Sequence, residues 1–327
     1  MAGRGSRLRP HTLTVPKPLI TFSGKTIVQR LVEDIVRVCD QQVDEIAFII
    51  GDFGAAVEKD LLKIAEELGS KGKIYYQKKP LGTAHAILCA KESLDGECVV
   101  AFADTLFIAD FSINKLEDGI IWVNQIDDPS SFGVVKLDEN GFITDFVEKP
   151  RTYISDLAII GIYYFKDANY LKRELEYLLK NDIKEKGEYQ LTTALENMKN
   201  KGSKFSTGKV DEWLDCGNKQ ATVNTNASVL EHNGGETHKN ATIKNSKIIQ
   251  PSFIDDEAFI EDSVIGPYVS IGKGSKIINS QITKSIIQQN TKIQDSKLNN
   301  SMVGSHVSYI GKNLDQQVSI GDFSIVE

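Results

Sequence analysis

From residue 27 onward, apolar residues recur at helical or strand spacing. Ile27, Leu31, Ile35 and Val38 line one face of a helix predicted over residues 27–38. Residues 45–50 (EIAFII) form a short apolar run and read as a buried strand. A helix is expected over 55–68, a strand over 73–77, a helix over 83–90 and a strand over 98–102 (CVVAF). This alternation predicts an α/β fold, with a Rossmann-like mixed, mostly parallel sheet and helices on both faces. Ligands of such sheets sit at the carboxyl ends of the strands. Beyond Asp110 the pattern is less regular. Residues 133–137 and 142–148 read as a hairpin around Glu139-Asn140-Gly141. Helices are expected over 168–179 and 189–200, and strands over 204–208 and 210–214.

The pattern then changes. Residues 231–240 (EHNGGETHKN) are polar and glycine-containing, as in a linker. Beyond them, NSKI starts at Asn245, DSVI at Asp262, NSQI at Asn279 and DSKL at Asp295, at intervals of 17, 17 and 16 residues. Half-step copies begin at Lys284 (KSII) and Asn300 (NSMV). Ile254, Ile260, Ile265, Ile271 and Ile277 recur every five or six places. The pattern resembles the hexapeptide repeat of the left-handed parallel β-helix, in which each side of a triangular turn buries one aliphatic residue. A sandwich of short strands is the competing reading, but it does not require so regular a period. The expected domains are therefore residues 1–230, a linker over 231–240 and a β-helix over 241–327.

Bulk properties narrow the function. With 327 residues, 41% of them apolar, the chain can bury a sizeable core. A formal net charge of -7 argues against nucleic acid or an anionic membrane as the main partner. Cys39, Cys89, Cys98 and Cys216 form no CxxC pair, as expected of reduced thiols in a cytoplasmic protein. His11, His85, His232, His238 and His306 show no metal-ligand spacing. One region departs from the average. The first 32 residues lack Asp and Glu yet carry Arg4, Arg7, Arg9, Lys17, Lys25 and Arg30. That asymmetry marks either an anion site or a solvated basic edge.

Motifs decide between those two. Gly3 and Gly5, one residue apart, allow backbone N–H groups to approach a phosphate. The run is neither a P-loop nor a dinucleotide fingerprint, since the GK[ST] and the third glycine are missing. It is followed by Arg7 and then by Pro16-Lys17-Pro18-Leu19. GxG[ST]RLxP with PKPL close behind resembles the sugar-1-phosphate nucleotidyltransferases, also called nucleotide-sugar pyrophosphorylases. In particular it looks like glucose-1-phosphate thymidylyl- and uridylyltransferases and mannose-1-phosphate guanylyltransferases. Gln77 with Pro80-Leu81-Gly82-Thr83-Ala84, Phe102-Ala103-Asp104, Phe132-Gly133-Val134-Val135, Val147-Glu148-Lys149-Pro150 and Trp213-Leu214-Asp215-Cys216-Gly217 resemble further family segments, in the family's order. The hexapeptide tail also occurs in many members.

The resemblance implies a reaction. A sugar-phosphate oxygen attacks the α-phosphorus of a nucleoside triphosphate and pyrophosphate leaves in line, so the protein must position two anions and neutralise their charge. Ala2, Gly3, Gly5 and Ser6 would cradle the nucleotide phosphates, and Arg7 would meet the departing pyrophosphate with its fixed donor fork. Lys17 would lie at the reacting phosphates. Asp104 and Asp215 would hold Mg²⁺. Gln77, Gly82 and Thr83 would contact the nucleotide, while Gly133, Glu148 and Lys149 would bind the sugar phosphate. Family chains begin with an apolar strand leading into the glycine loop, so with Met1 at the start that strand is expected to be missing and the loop less well supported. Thr105 follows Asp104 where many members carry Asn.

The leading pair is dTTP or UTP with glucose-1-phosphate, and the alternative is GTP with mannose-1-phosphate. A non-catalytic, nucleotide-sugar-binding paralogue is a reading of another class. A β-helix that also transfers acyl groups would need a coenzyme A site, and His306 has no supporting motif. Self-association through a flat solenoid face is expected.

Overall fold

A computed structural model describes residues 5–39, 41–109, 113, 117–311 and 314–327. The chain divides into two compact units. One comprises Leu31–Trp213, and the other joins the amino-terminal stretch up to Arg30 with Leu214–Glu327. The boundary expected over 231–240 follows chain order, whereas the grouping in space places the glycine-loop segment with the repeats. Residues 231–240 contain the end of a helix at Asn233 and a short strand, Glu236–Thr237.

In the first unit, β1 (Glu45–Ile50) and β2 (Lys71–Tyr76) pair in parallel, joined by α1 (Ala55–Glu67). Helix α2 (Thr83–Cys89) leads to β3 (Cys98–Ala101) and β4 (Thr105–Ile108). A mixed sheet follows from β5 (Gly119–Gln125), β6 (Gly133–Leu137), β7 (Ile143–Glu148), β8 (Leu157–Phe165) and β9 (Phe205–Lys209), in the order β9-β5-β8-β6-β7. β9 runs parallel to β5, and the other neighbours are antiparallel. β3 adds to β8 antiparallel. The expected hairpin forms around Gly141, with Val134 opposite Val147 and Val135 opposite Phe146. β8 bulges between Ile159 and Tyr163. Gly161 there has φ +89°, and a Cβ on it would lie 3.1 Å from the Phe102 side chain, so glycine lets the chain after β3 approach closely.

Helices α3 (Ala168–Lys180) and α4 (Leu191–Asn200) cover this sheet. Asp167 caps α3 by accepting from the Tyr170 N–H at 2.9 Å. Leu171, Leu175 and Leu178 are buried with Ala194, Leu195, Phe165 and Phe205. Each buried leucine or phenylalanine among them contributes about 1.5–3 kcal/mol relative to exposure. Among the described residues no helix is long and apolar enough to cross a membrane.

The second unit contains a parallel β-solenoid of about five turns, built on three sheets of two- and three-residue strands. Ile260, Ile277 and Ile293 stack in register on one face, and Ile254, Ile271, Ile287 and Val303 on another. The isoleucines expected from the period are all fully buried. The repeated [ND]-S pair has a physical explanation. Asn245, Asp262, Asn279 and Asp295 turn the corners at φ 45–51°, a region Asn and Asp tolerate. The serine after each corner accepts the N–H of its counterpart one coil on: Ser246 from Ser263 at 3.0 Å, Ser263 from Ser280 at 3.0 Å and Ser280 from Ser296 at 3.1 Å. The half-step copy does the same, with Ser285 accepting from Ser301 at 3.0 Å. Helix α5 (Lys219–Asn233) joins this unit, with Asn226 buried against Ser270.

Candidate active site

The sequence-derived site residues divide between the two units. In the first, Gln77 follows β2, and its Nε2 donates to the Gly82 carbonyl at 3.0 Å and meets His85 Nδ1 at 3.0 Å. Burial holds the His85 pKa below its ordinary value, which favours the neutral ring that can accept this bond. Gly82 has φ 113° and lies against the Tyr189 backbone. Thr83 opens α2, donates to Gln190 Oε1 at 3.1 Å and accepts the Leu191 N–H at 2.9 Å. Backbone bonds Tyr189 N–H to Leu81 O and Ala84 N–H to Tyr189 O, both 2.9 Å, complete the seam. Gln77, Gly82 and Thr83 are thus drawn together around this seam.

A second cluster gathers Gly133, Glu148 and Lys149. Glu148 Oε2 accepts from the Thr192 hydroxyl at 3.2 Å, and a Cβ on Gly133 would lie 3.2 Å from that oxygen. Lys149 sits at φ 43°, with its ammonium 3.6 Å from Glu148 Oε1. Lys186 donates to the Glu148 carbonyl at 2.8 Å and also to the Lys149 carbonyl, pinning the turn. Asp104 lies in the turn between β3 and β4. Its charge and that of Glu148 both act on buried Tyr163, whose hydroxyl is pushed far above the ordinary range, mainly by burial and then by Glu148 and Asp104. Thr105, buried beside Asp104, accepts from Trp213 Nε1 at 2.6 Å, and Trp213 packs edge-on against Phe132 with centroids 5.0 Å apart. Threonine at this position therefore ties β4 to the tryptophan two residues before Asp215.

In the second unit, Gly5 (φ 66°) precedes a 3₁₀ turn, Ser6–Leu8, that carries Arg7. Lys17 is buried, between Pro16 and Pro18. A Cβ on Gly5 would lie 2.8 Å from Lys17 Cβ, so the glycine lets loop and lysine touch. The Thr12 hydroxyl closes the loop on the Gly5 carbonyl at 2.8 Å. Asp215 ends the strand Glu212–Asp215 (β10), and its Oδ1 accepts the Gly217 N–H at 2.8 Å. Ala2 and Gly3, also expected to bind nucleotide, lie outside the described residues. Among the described residues no group of three or more His, Cys, Asp or Glu is gathered to hold a metal.

Sequence reading missed Tyr163, Thr192, Tyr189, Gln190 and Lys186. None lies in a short motif. The one available signal was the continuous apolar run 157–165 (LAIIGIYYF), whose Gly161 marks a close approach.

Known proteins share this fold and sequence. A solved UDP-glucose pyrophosphorylase in complex with UDP-glucose shares the fold, with a TM-score of 0.58 at 23% identity over 71% of this chain and 96% of that one. The glucose-1-phosphate thymidylyltransferase of Streptomyces antibioticus is 29% identical over 99% of this chain and 97% of its own length. The bifunctional protein GlmU of Methanocaldococcus jannaschii is 30% identical over 96% of this chain and 75% of its own. The model of the nucleotidyl transferase family matches residues 1–232. With that match spanning most of the chain and two similar proteins aligned along nearly all of it, the chain belongs to the nucleotidyl transferase family.

Proposed function

We propose that the chain transfers a nucleotidyl group from dTTP or UTP to glucose-1-phosphate, releasing pyrophosphate. The observation that carries the base preference is the pinned amide of Gln77. Gly82 O and His85 Nδ1 engage both hydrogens of its Nε2. Its Oε1 is then the atom left to meet a base, and it can only accept. Thymine and uracil present an N3–H to such an acceptor. Cytosine and adenine present a ring-nitrogen acceptor in its place and reach Oε1 only through the neighbouring amino group, which requires a shifted base and disfavours them. Guanine offers an N1–H, which keeps GTP with mannose-1-phosphate in the same test.

The remaining residues take roles that suit their chemistry. Glu148, oriented by Thr192, accepts bonds from sugar hydroxyls, and the Lys149 ammonium meets the sugar phosphate as a compact charge. The Gly5–Ser6 backbone cradles phosphate, Arg7 stabilises the departing pyrophosphate, and Lys17 sits at the reacting phosphates. The attacking phosphate oxygen is already ionised and no general base is required. The new bond forms at the α-phosphorus as the α–β phosphoanhydride bond breaks. Asp104 and Asp215 are hard oxygen donors of the kind Mg²⁺ takes, and two protein carboxylates suit an ion that completes its shell with phosphate oxygens and water. When bound, the ion would neutralise charge on the phosphates. The dependence on nucleoside triphosphate points to the cytoplasm.

The test is pyrophosphate release across a panel of five triphosphates and several sugar-1-phosphates. Turnover highest with dTTP or UTP and glucose-1-phosphate supports the proposal. A flat response to every pair sinks it in favour of a regulatory paralogue.

A further inference from the structure

We propose that the last solenoid coil positions the loop carrying Arg7 and Lys17, so that Ser319 and Asp322 act on turnover through that loop. The inference rests on the roles given above to Arg7 and Lys17.

The loop between those two residues is seated on one coil at three successive points. Pro10 lies against Gly321, where an added Cβ would be 2.9 Å from the proline Cβ. Buried His11 meets Ser319 Oγ through its Nε2 at 3.1 Å. Thr14 donates to Asp322 Oδ2 at 2.5 Å. Asp322 is itself fixed, because its Oδ1 accepts the Ser305 N–H of the preceding coil at 2.8 Å. Earlier coils hold the segment that follows. Gln288 donates to the Thr21 carbonyl at 2.7 Å, and the Ser23 N–H donates to Ser270 Oγ at 3.0 Å. The Gly24 backbone rests on the Phe253 ring.

The loop also passes displacement along. Thr12 bonds Gly5, and Gly5 touches Lys17. A shift of residues 10–14 is therefore felt at the glycine turn before Arg7 and at Lys17. Phosphoryl chemistry depends on placement, and a misplacement of about 1 Å can cost on the order of 100-fold in rate. The coil thus serves as scaffold for the reacting phosphates, with Ser319 and Asp322 as positioning residues that touch no substrate.

The experiment uses the full chain with Thr14→Val, Ser319→Ala and Asp322→Asn, the rescue variant Thr14→Ser, and the double variant Thr14→Val/Asp322→Asn. Thr14→Val and Asp322→Asn are each expected to lower kcat about 10- to 100-fold with little change in KM for the sugar phosphate. Thr14→Ser should stay within about threefold of the parent, and the double variant should be no worse than either single, since both remove one contact. Amide exchange across residues 5–20 should quicken in Thr14→Val and Asp322→Asn but not in Thr14→Ser. Arg7→Ala and Lys17→Ala serve as benchmarks. If they abolish turnover while the Thr14, Ser319 and Asp322 variants keep kcat within twofold, the positioning role is overturned and the catalytic reading stands. If Arg7→Ala and Lys17→Ala keep full turnover, the catalytic reading fails first. Where no substrate pair turns over, unchanged exchange across 5–20 in Thr14→Val and Asp322→Asn still overturns the claim that the coil holds the loop.

Discussion

Gly82→Ala is expected to destabilise the first unit by about 2–6 kcal/mol and to weaken triphosphate binding. Gly82 sits at φ 113°, ψ 177°, a region essentially reserved for glycine, and a side chain there costs about 1–3 kcal/mol. Its new Cβ would fall 2.4 Å from the Tyr189 carbonyl oxygen and 2.7 Å from the Tyr189 nitrogen. Those are backbone atoms held by bonds to Leu81 and Ala84, so no rotamer change relieves the overlap. Overpacking of this kind costs about another 1–3 kcal/mol. Relief must separate residues 81–84 from Tyr189, and the Gly82 carbonyl that orients Gln77 moves with them. Gly141→Ala is the internal reference. Gly141 has φ 84° with no atom within 4 Å of a built Cβ, so only conformational strain of about 1–2 kcal/mol applies. Both tryptophans, Trp122 and Trp213, lie in the first unit, so urea denaturation followed by tryptophan fluorescence reports on it. A difference between the two variants below about 0.5 kcal/mol would falsify the packing of Gly82 on Tyr189. Stability loss without loss of triphosphate affinity would separate that seam from base recognition.

Other expectations follow from single sites. Ile277→Ala, at a fully buried stacking position, should cost about 2–5 kcal/mol in the unfolding of the solenoid, measured by calorimetry. Burial lowers the His11 pKa from its ordinary 6.5 to about 4, with Asp322 opposing and Lys219 adding to the effect. The unfolded chain therefore takes up a proton that the folded chain refuses. His11 should make stability fall by about 3 kcal/mol as pH drops from 6.5 to 4 and contribute no further slope below that. Thermal unfolding of the parent and His11→Asn over that range checks it, since the variant should lack this component. Asp104→Asn and Asp215→Asn should each lower pyrophosphate release at least about 100-fold, and EDTA should abolish it until Mg²⁺ is restored. Unaltered turnover in either variant removes that carboxylate from the site.

Much of the fold was legible because its signals are local. The helix 27–38, the strand 45–50 and the hairpin around Gly141 appear where periodicity and turn residues place them. The clearest signal was the repeat: a 16–17-residue period that buries an isoleucine at every expected place is hard to satisfy except by stacked coils. Helix α5 was not legible, because Thr222, Thr225 and Asn226 are buried in it beside Val223 and Leu230 and leave no apolar stripe. Its cap, Asn218, accepts from the Ala221 N–H at 3.0 Å, but without periodicity that asparagine looks like any turn residue.

By itself, then, the sequence determined the chemistry on offer: a cationic glycine loop, two separate aspartates, a Pro-Leu-Gly-Thr segment after Gln77 and a solenoid period. These are properties of neighbouring residues and their intrinsic conformations. Tertiary structure decided the partners. Thr192 reaches Glu148, Tyr189 locks Gly82, and Asp322, at the far end of the chain, holds Thr14. Such pairings bring together residues 44, 107 and 308 positions apart. They exist because chain-distant elements bury shared surface, and no local pattern encodes which surface will be shared.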